Sequence, residues 1–249
     1  MTYQFTVSPD FAPDLISSWF VFNTWLQNTT NDHVHLELFD DFVTQRAAVD
    51  AGKVDLIYAN PYDAAMLVRE KGFVPIAKPI AKPDEAVVAV PEESAAHDVE
   101  DLAPGTRIVS TDDPDVNMMG MIMLEPAQLD ASNTESRHAA TYVLVAKALI
   151  NGDADVGFFL KEAFDKLSGL VRRQLRPLVT SQIHVISHCL LAGPELADDR
   201  ESLQALLVGM TGDPKGASVV EGLGFTGWEP VELEEMEFMI DLMDTLVAD

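Results

Sequence analysis

One cysteine, Cys189, is all the thiol chemistry the chain holds in 249 residues, so no intrachain disulfide can staple it. Cations are scarce too: 16 Lys and Arg stand against 41 Asp and Glu, a net charge of −25. Nucleic acid and anionic membranes both require a basic face, so neither is expected as a partner. No apolar run approaches the ~20 residues of a membrane span, and no membrane insertion is expected. The opening, "MTYQFTVSPDF", has no basic stretch, apolar centre or small-residue cleavage site of a secretory leader. Two compartments stay open on that ground: periplasmic if an export signal was removed, cytoplasmic if the chain is native as given.

Catalytic and cofactor signatures are missing as well. There is no P-loop, dinucleotide glycine fingerprint, nucleophile elbow or Cys–His pair in a catalytic context. The histidines do not form an H-E-x-x-H motif, and the "HVH" at 33–35 reads as two surface imidazoles on one strand face. No cofactor and no metal are expected. Cys189, inside the apolar run "HCLLAG", reads as a small core residue.

What is present is core material, with 47% hydrophobic and 8% aromatic residues. Its arrangement is α/β. "YQFTV", "HVHLELF" and "VDLIYAN" read as strands, alternating with helices over "DLISSWFVFNTWLQNTT", "FVTQRAAVDAG" and "PYDAAMLVREKG". Pro61 suits a first helical turn and Gly72 a helix end. That order is the pattern of a parallel sheet covered on both faces. The texture changes at "AKPIAKPDEAVVAV", where a second unit begins. There "SRHAATYVLVAKALI" reads as a helix, then Gly152, the strand "ADVGFFL" and another helix. This echoes the earlier stretch around Gly52: in each, a helix ends at x-G-x-x-D before an apolar strand. "TSQIHVISHC" reads as a return crossover. A closing helix carries an apolar stripe of Met236, Met239, Ile240, Leu242, Met243 and Leu246, which reads as core packing.

Four strings in this order resemble the phosphate/phosphonate-type solute-binding proteins of ABC transporters. They are "AVDAGKVDLIYANPYDAAML", "AVVAVPEESAAHDVEDLAPGTRIVSTDDPD", "ALINGDADVGFFLKEAFDKL" and "GMTGDPKGASVVEGLGFTGWEPV". The resemblance implies a two-lobed type II periplasmic-binding-protein fold, each lobe a mixed, mainly parallel sheet flanked by helices. Lobe 1 would be discontinuous, residues 1–82 and 188–249, and lobe 2 would be residues 83–187, with a ligand cleft between them. It also implies a small-molecule ligand, an ABC permease as partner, and a monomer.

Four groups of residues are expected at the ligand. Ser8 and Asp10 follow the first strand, and Tyr58, Asn60 and Tyr62 belong to "YANPYD". Tyr62 best matches the family's ligand-facing tyrosine, whereas Tyr58 reads equally as a core residue. In "STDDPDVNMMG" the family has small hydroxyl residues and glycine wrapping an anion at a helix start. Here Asp115 and Asn117 stand there instead, with Gly120 matching the family's glycine after one insertion. Asp112 or Asp113 is the candidate helix cap. His138 is expected at the head of a helix, with Tyr142 one turn on and on the same face. Ser181, His184 and His188 lie on the return crossover, His188 near an acidic ligand contact of amine-bearing phosphonate binders. The carboxylates argue against a bare dianion and for a neutral, zwitterionic or partly apolar ligand. A cytoplasmic enzyme on the same fold and a ligand-sensing domain stand as alternatives.

Overall fold

The computed structural model describes residues 2–184, 186–231, 234–238 and 240–241. It divides into two units, Met1–Lys82 with Ser187–Asp249, and Pro83–Ile186. The first unit opens with β1 (Thr2–Val7), α1 (Ile16–Thr30), β2 (His33–Leu36), α2 (Phe42–Asp50), β3 (Leu56–Ala59), α3 (Pro61–Lys71) and β4 (Val74–Pro79). The second contains β5 (Ala86–Pro91), β6 (Arg107–Ser110), α4 (Pro114–Leu124), β7 (Glu135–His138) and α5 (Tyr142–Ile150). It continues with β8 (Val156–Leu160), the short helices α6 (Lys161–Asp165) and α7 (Gly169–Arg172), and β9 (Leu175–Thr180). The chain then returns to the first unit for β10 (Cys189–Ala192), α8 (Arg200–Val208), α9 (Pro214–Gly222) and β11 (Trp228–Pro230).

Each unit is built on a mixed sheet flanked by helices. In the first the order is β11-β4-β10-β3-β1-β2, and in the second β7-β6-β8-β5-β9. Strands joined by helical crossovers pair in parallel: β1 with β2 and β3, and β6 with β7 and β8. β10 lies antiparallel to both β3 and β4, and β5 antiparallel to β8 and β9.

The Gly52/Gly152 echo is a true structural repeat. α2 and α5 both end on a left-handed glycine, φ 65° at Gly52 and 74° at Gly152. The same C-terminal bonds follow: Lys53 N to Ala48 O (3.0 Å) and Asp153 N to Ala148 O (2.9 Å). A side chain in these backbone conformations would meet its own carbonyl, so glycine is the residue that ends both helices cleanly.

The sequence reading of "SRHAATYVLVAKALI" as one helix requires correction. Residues 135–138 form the edge strand β7, parallel to β6, and helix α5 begins only at Tyr142, capped by Thr141. All four residues of β7 are exposed, so no apolar alternation marks the strand.

The first core is dominated by aromatic rings. Trp19 lies 4.8 Å from Tyr58 and 5.6 Å from Phe22, and Phe225 lies 5.2 Å from Trp228, all ring centroid to ring centroid. In the second unit, α4 packs over Phe158 and α5 over Phe159, both essentially inaccessible. Cys189 is buried in β10. Of the apolar stripe in the last segment, Met236 is buried at 1% exposure, while Met239, Leu242, Met243 and Leu246 lie outside the described residues. No helix among the described residues is long and apolar enough to cross a membrane.

Candidate functional site

Loops at the carboxyl ends of parallel strands are where ligands collect in α/β sheets. In the first unit, the loop after β1 and the β3–α3 junction meet there. Asn60 is the N-cap of α3: its Oδ1 accepts from Asp63 N at 2.7 Å. Its amide donates to Ser8 Oγ (3.2 Å) and to Asp63 Oδ2 (3.0 Å). Asp63 also receives Arg46 Nε from α2 at 2.7 Å. The Arg46 guanidinium lies over two rings, 5.4 Å from the Phe42 centroid and 5.5 Å from that of Tyr62. A positively charged group with an aromatic neighbour thus stands in this cluster. Arg46 is not legible in the sequence as a site residue, because one arginine in "FVTQRAAVD" carries no motif. Its signal was positional, one turn into the helix that precedes β3.

His188 joins the cluster from the start of β10. Its Nε2 donates to the Asp10 carboxylate, 3.1 and 3.2 Å from the two oxygens, and its ring stacks on Tyr58 at 5.3 Å. Burial by itself would raise the Asp10 carboxyl, but the charge and hydrogen bond of His188, with a bond from Ser8, outweigh it. Asp10 is therefore held below the usual carboxylate range. Tyr58 is 5% exposed and belongs to the aromatic core as well as touching His188.

In the second unit, Asp113 organises the loop after β6. It is the N-cap of α4, its Oδ1 accepting from Asp115 N (3.1 Å) and Val116 N (3.2 Å). Its other oxygen accepts from the Tyr142 hydroxyl at 2.8 Å. Between the two candidate caps the structure selects Asp113 and leaves Asp112 exposed. Asp115 is buried in the first turn of α4. Asn117 braces the loop from inside, donating to Thr111 O (2.9 Å) and Asp113 O (2.8 Å) and accepting from Ser110 Oγ. His138 ends β7, where Nδ1 lies 2.8 Å from Thr111 O. That carbonyl can only accept, so Nδ1 carries a proton. The expected helical i, i+4 relation of His138 and Tyr142 does not exist, because a strand and a turn separate them. Both still reach the same loop, at Thr111 and Asp113. Gly120 has a packing reason: an added Cβ would collide with the Phe158 ring.

Ser181 and His184 belong to a separate knot around Glu85, a carboxylate that is 5% exposed. Ser181 Oγ donates to Glu85 and accepts from Ala86 N (2.8 Å). Ile183 N and His184 N donate to the two Glu85 oxygens at 3.2 and 2.8 Å. Glu85 is likewise not legible in the sequence as the centre of such a knot. In "KPDEAVV" it looks like a solvated charge before a strand.

A family model described as "ABC transporter, phosphonate, periplasmic substrate-binding protein" matches residues 5–236. The chain belongs to this family. Solved structures agree on the fold of these phosphonate-type substrate-binding proteins. One is a binding protein component of an ABC phosphonate transporter from Pseudomonas aeruginosa. It is 16% identical, covers 97% of this chain and 85% of its own, and superposes with a TM-score of 0.79. PhnD1 from Prochlorococcus marinus, solved with methylphosphonate, is 12% identical over 100% of this chain and 99% of its own, with a TM-score of 0.82. The aliphatic sulphonate binding protein SsuA from Escherichia coli is 14% identical, covering 99% and 86%, at 0.67. Identities this low carry the fold and not the ligand. No curated protein matches the chain. The family and the two-lobed α/β fold expected from sequence are thus both found. The family's members are binding proteins that take a small molecule and work with an ABC permease.

Proposed function

We propose that this family member captures a small ligand that is not a bare dianion, and that the loop around Asp113 recognises it. The observation carrying this reading is Asp113. A helix N-terminus recruits anions through its unsatisfied N–H groups and dipole. At α4 the amides of Asp115 and Val116 are already bonded to the protein's own carboxylate. A dianionic phosphate or phosphonate would have to displace that carboxylate or sit beside it. The buried carboxylates of Asp113 and Asp115 favour a ligand whose facing end is neutral or positive. In the second unit His138 and Tyr142, and in the first Arg46 and Tyr62, are the candidate hydrogen-bonding groups and ring walls. Asp10 and His188, joined by hydrogen bonds, offer a polar edge in the first unit. The chain acts in this reading by binding and handing on its ligand, without turnover.

The test is thermal unfolding against phosphate, methylphosphonate, sulfate, 2-aminoethylphosphonate and phosphorus-free amino metabolites. A ligand that binds the native state at 100 times its Kd adds about 2.7 kcal/mol of stability. The expected result is a shift with zwitterionic or neutral compounds and none with phosphate or sulfate. A saturable shift with phosphate or methylphosphonate overturns the changed-ligand reading and leaves the family intact. Asp113→Asn is the discriminating variant: it keeps a capping oxygen, removes the charge, and should open the site to the bare oxyanions.

A further inference from the structure

A cavity lies wholly within the first unit, at the opposite ends of the strands from Ser8 and Asn60. It is half-open and has a volume of about 440 Å³, the size of a small-molecule site. Leu26, Val34 and Leu56 form a buried apolar floor, from the end of α1 and the starts of β2 and β3. Leu203 of α8 and the ring of Tyr3 add walls, and the exposed carboxylates of Asp32 and Asp199 complete the lining. Among the described lining residues there is no Lys or Arg.

The electrostatics of this cavity have one sign. α1 ends here on Asn31, with no basic residue in its last turn, so the negative pole of its dipole is uncompensated by a side chain. The Tyr3 phenol is raised above its ordinary range by desolvation and by the carboxylates of Asp32, Asp199, Asp55 and Glu195. Four acidic groups therefore act on one ring at the cavity wall. Apolar surface below and fixed negative charge above match one class of small molecule.

We propose that this cavity binds a small organic ammonium compound, its apolar body on Leu26, Val34 and Leu56 and its cation between Asp32 and Asp199. The site is independent of the loop clusters and of whatever ligand they take. Contact of the hydrophobic body with the apolar floor adds to the affinity. Two partly exposed ion pairs then supply selectivity for the cation.

The experiment is titration of the full chain with phenethylammonium, followed by calorimetry and by the methyl NMR signals of Leu26, Val34 and Leu203. Phenethyl alcohol, phenylacetate and tetramethylammonium test the neutral body, the opposite charge, and the charge without the body. Saturable binding of phenethylammonium with shifts confined to those methyls is expected, together with weaker or absent binding of the other three. Asp32→Asn with Asp199→Asn should weaken it about tenfold, the effect of losing two such ion pairs. Asp40→Asn with Asp153→Asn changes the net charge equally at exposed positions elsewhere and should leave the affinity unchanged. Should the first double variant fail to fold, Ser202→Trp serves, because Ser202 is exposed on the lining and a bulky ring there blocks the cavity. The proposal is overturned if the alcohol binds as tightly as the ammonium, if methyl shifts appear elsewhere, or if neither Asp32/Asp199 nor Ser202 substitution alters binding.

Discussion

Asp55 and Asp155 perform the same task in the two units. Asp55 Oδ2 accepts from Gln4 N at 2.7 Å, and Asp155 Oδ2 accepts from Arg107 N at 2.9 Å. Each aspartate also donates its own N–H to the carbonyl of that residue, at 2.9 Å in both. β1 in one sheet and β6 in the other are thereby registered against β3 and β8, the strands that follow the glycine-ended helices. Asp155 adds a two-point ion pair, Arg107 Nη2 to Oδ1 at 2.6 Å and Nε to Oδ2 at 3.0 Å. Asp55→Ala removes the side-chain bond to a main-chain amide and should cost about 1 kcal/mol. Asp155→Ala loses that bond and a half-exposed ion pair, whose worth is at most about 1 kcal/mol more. Denaturant titration of each variant gives both numbers. Equal losses would mean that the Arg107 pair contributes nothing measurable.

Those aspartates are legible in the sequence because three signals coincide there: a helix period, a glycine and an apolar strand. The glycines and the alternating strands came through for the same reason, since backbone conformation and burial restrict residue type sharply. Residues 135–138 gave no such signal. An edge strand with every side chain in solvent needs no apolar residue, and its helical neighbour absorbed it. Site residues divided along similar lines. Asn60 before Pro61 is a helix-cap pattern, and Asp113 before Pro114 is the same pattern. Arg46 and Glu85 depend on neighbours distant in sequence. Arg46 meets Asp63 from the next helix, and Glu85 meets a segment almost a hundred residues later. A single sequence does not encode that proximity in any local period.

The Asp10–His188 pair should make stability depend on acidity. Asp10 is depressed in the folded chain, so the stability it contributes is fully present above the unfolded carboxylate value, about 4. It is lost as the pH falls through the lower folded value. Melting temperature followed from neutral pH downward should decline over that range, and Asp10→Asn should decline less. A curve for Asp10→Asn parallel to the parent would show that the pair carries none of the acid response. His188→Ala at neutral pH leaves a largely buried carboxylate without its cation and should cost roughly 3 kcal/mol.

Ala81 adopts φ 51°, a left-handed conformation, in the turn that follows β4. For an L-residue this costs roughly 1–2 kcal/mol, a penalty glycine escapes. Glycine also loosens the unfolded chain, which takes back about 0.4–1 kcal/mol. Relief exceeds loss, so Ala81→Gly should stabilise the protein by about 0.5 kcal/mol. Denaturation midpoints at constant m-value decide it. A destabilised variant would show that the methyl group makes contacts worth more than the strain.

Gly120 lies in α4 where the helix crosses β8, and a methyl group there has no room. The added Cβ would fall against the face of Phe158, which is 1% exposed and is held by the surrounding core. Helix propensity favours alanine over glycine by about 1 kcal/mol, so a surface position would gain from this exchange. Here overpacking opposes it with about 1–3 kcal/mol or more, because the obstacle is a rigid ring inside a filled core. Gly120→Ala should therefore destabilise by about 1–2 kcal/mol. Adding Phe158→Leu, which removes the ring, should make the two changes non-additive and recover part of the loss. Strict additivity in that double-mutant cycle would mean that the glycine is kept for a reason other than the close approach of Phe158.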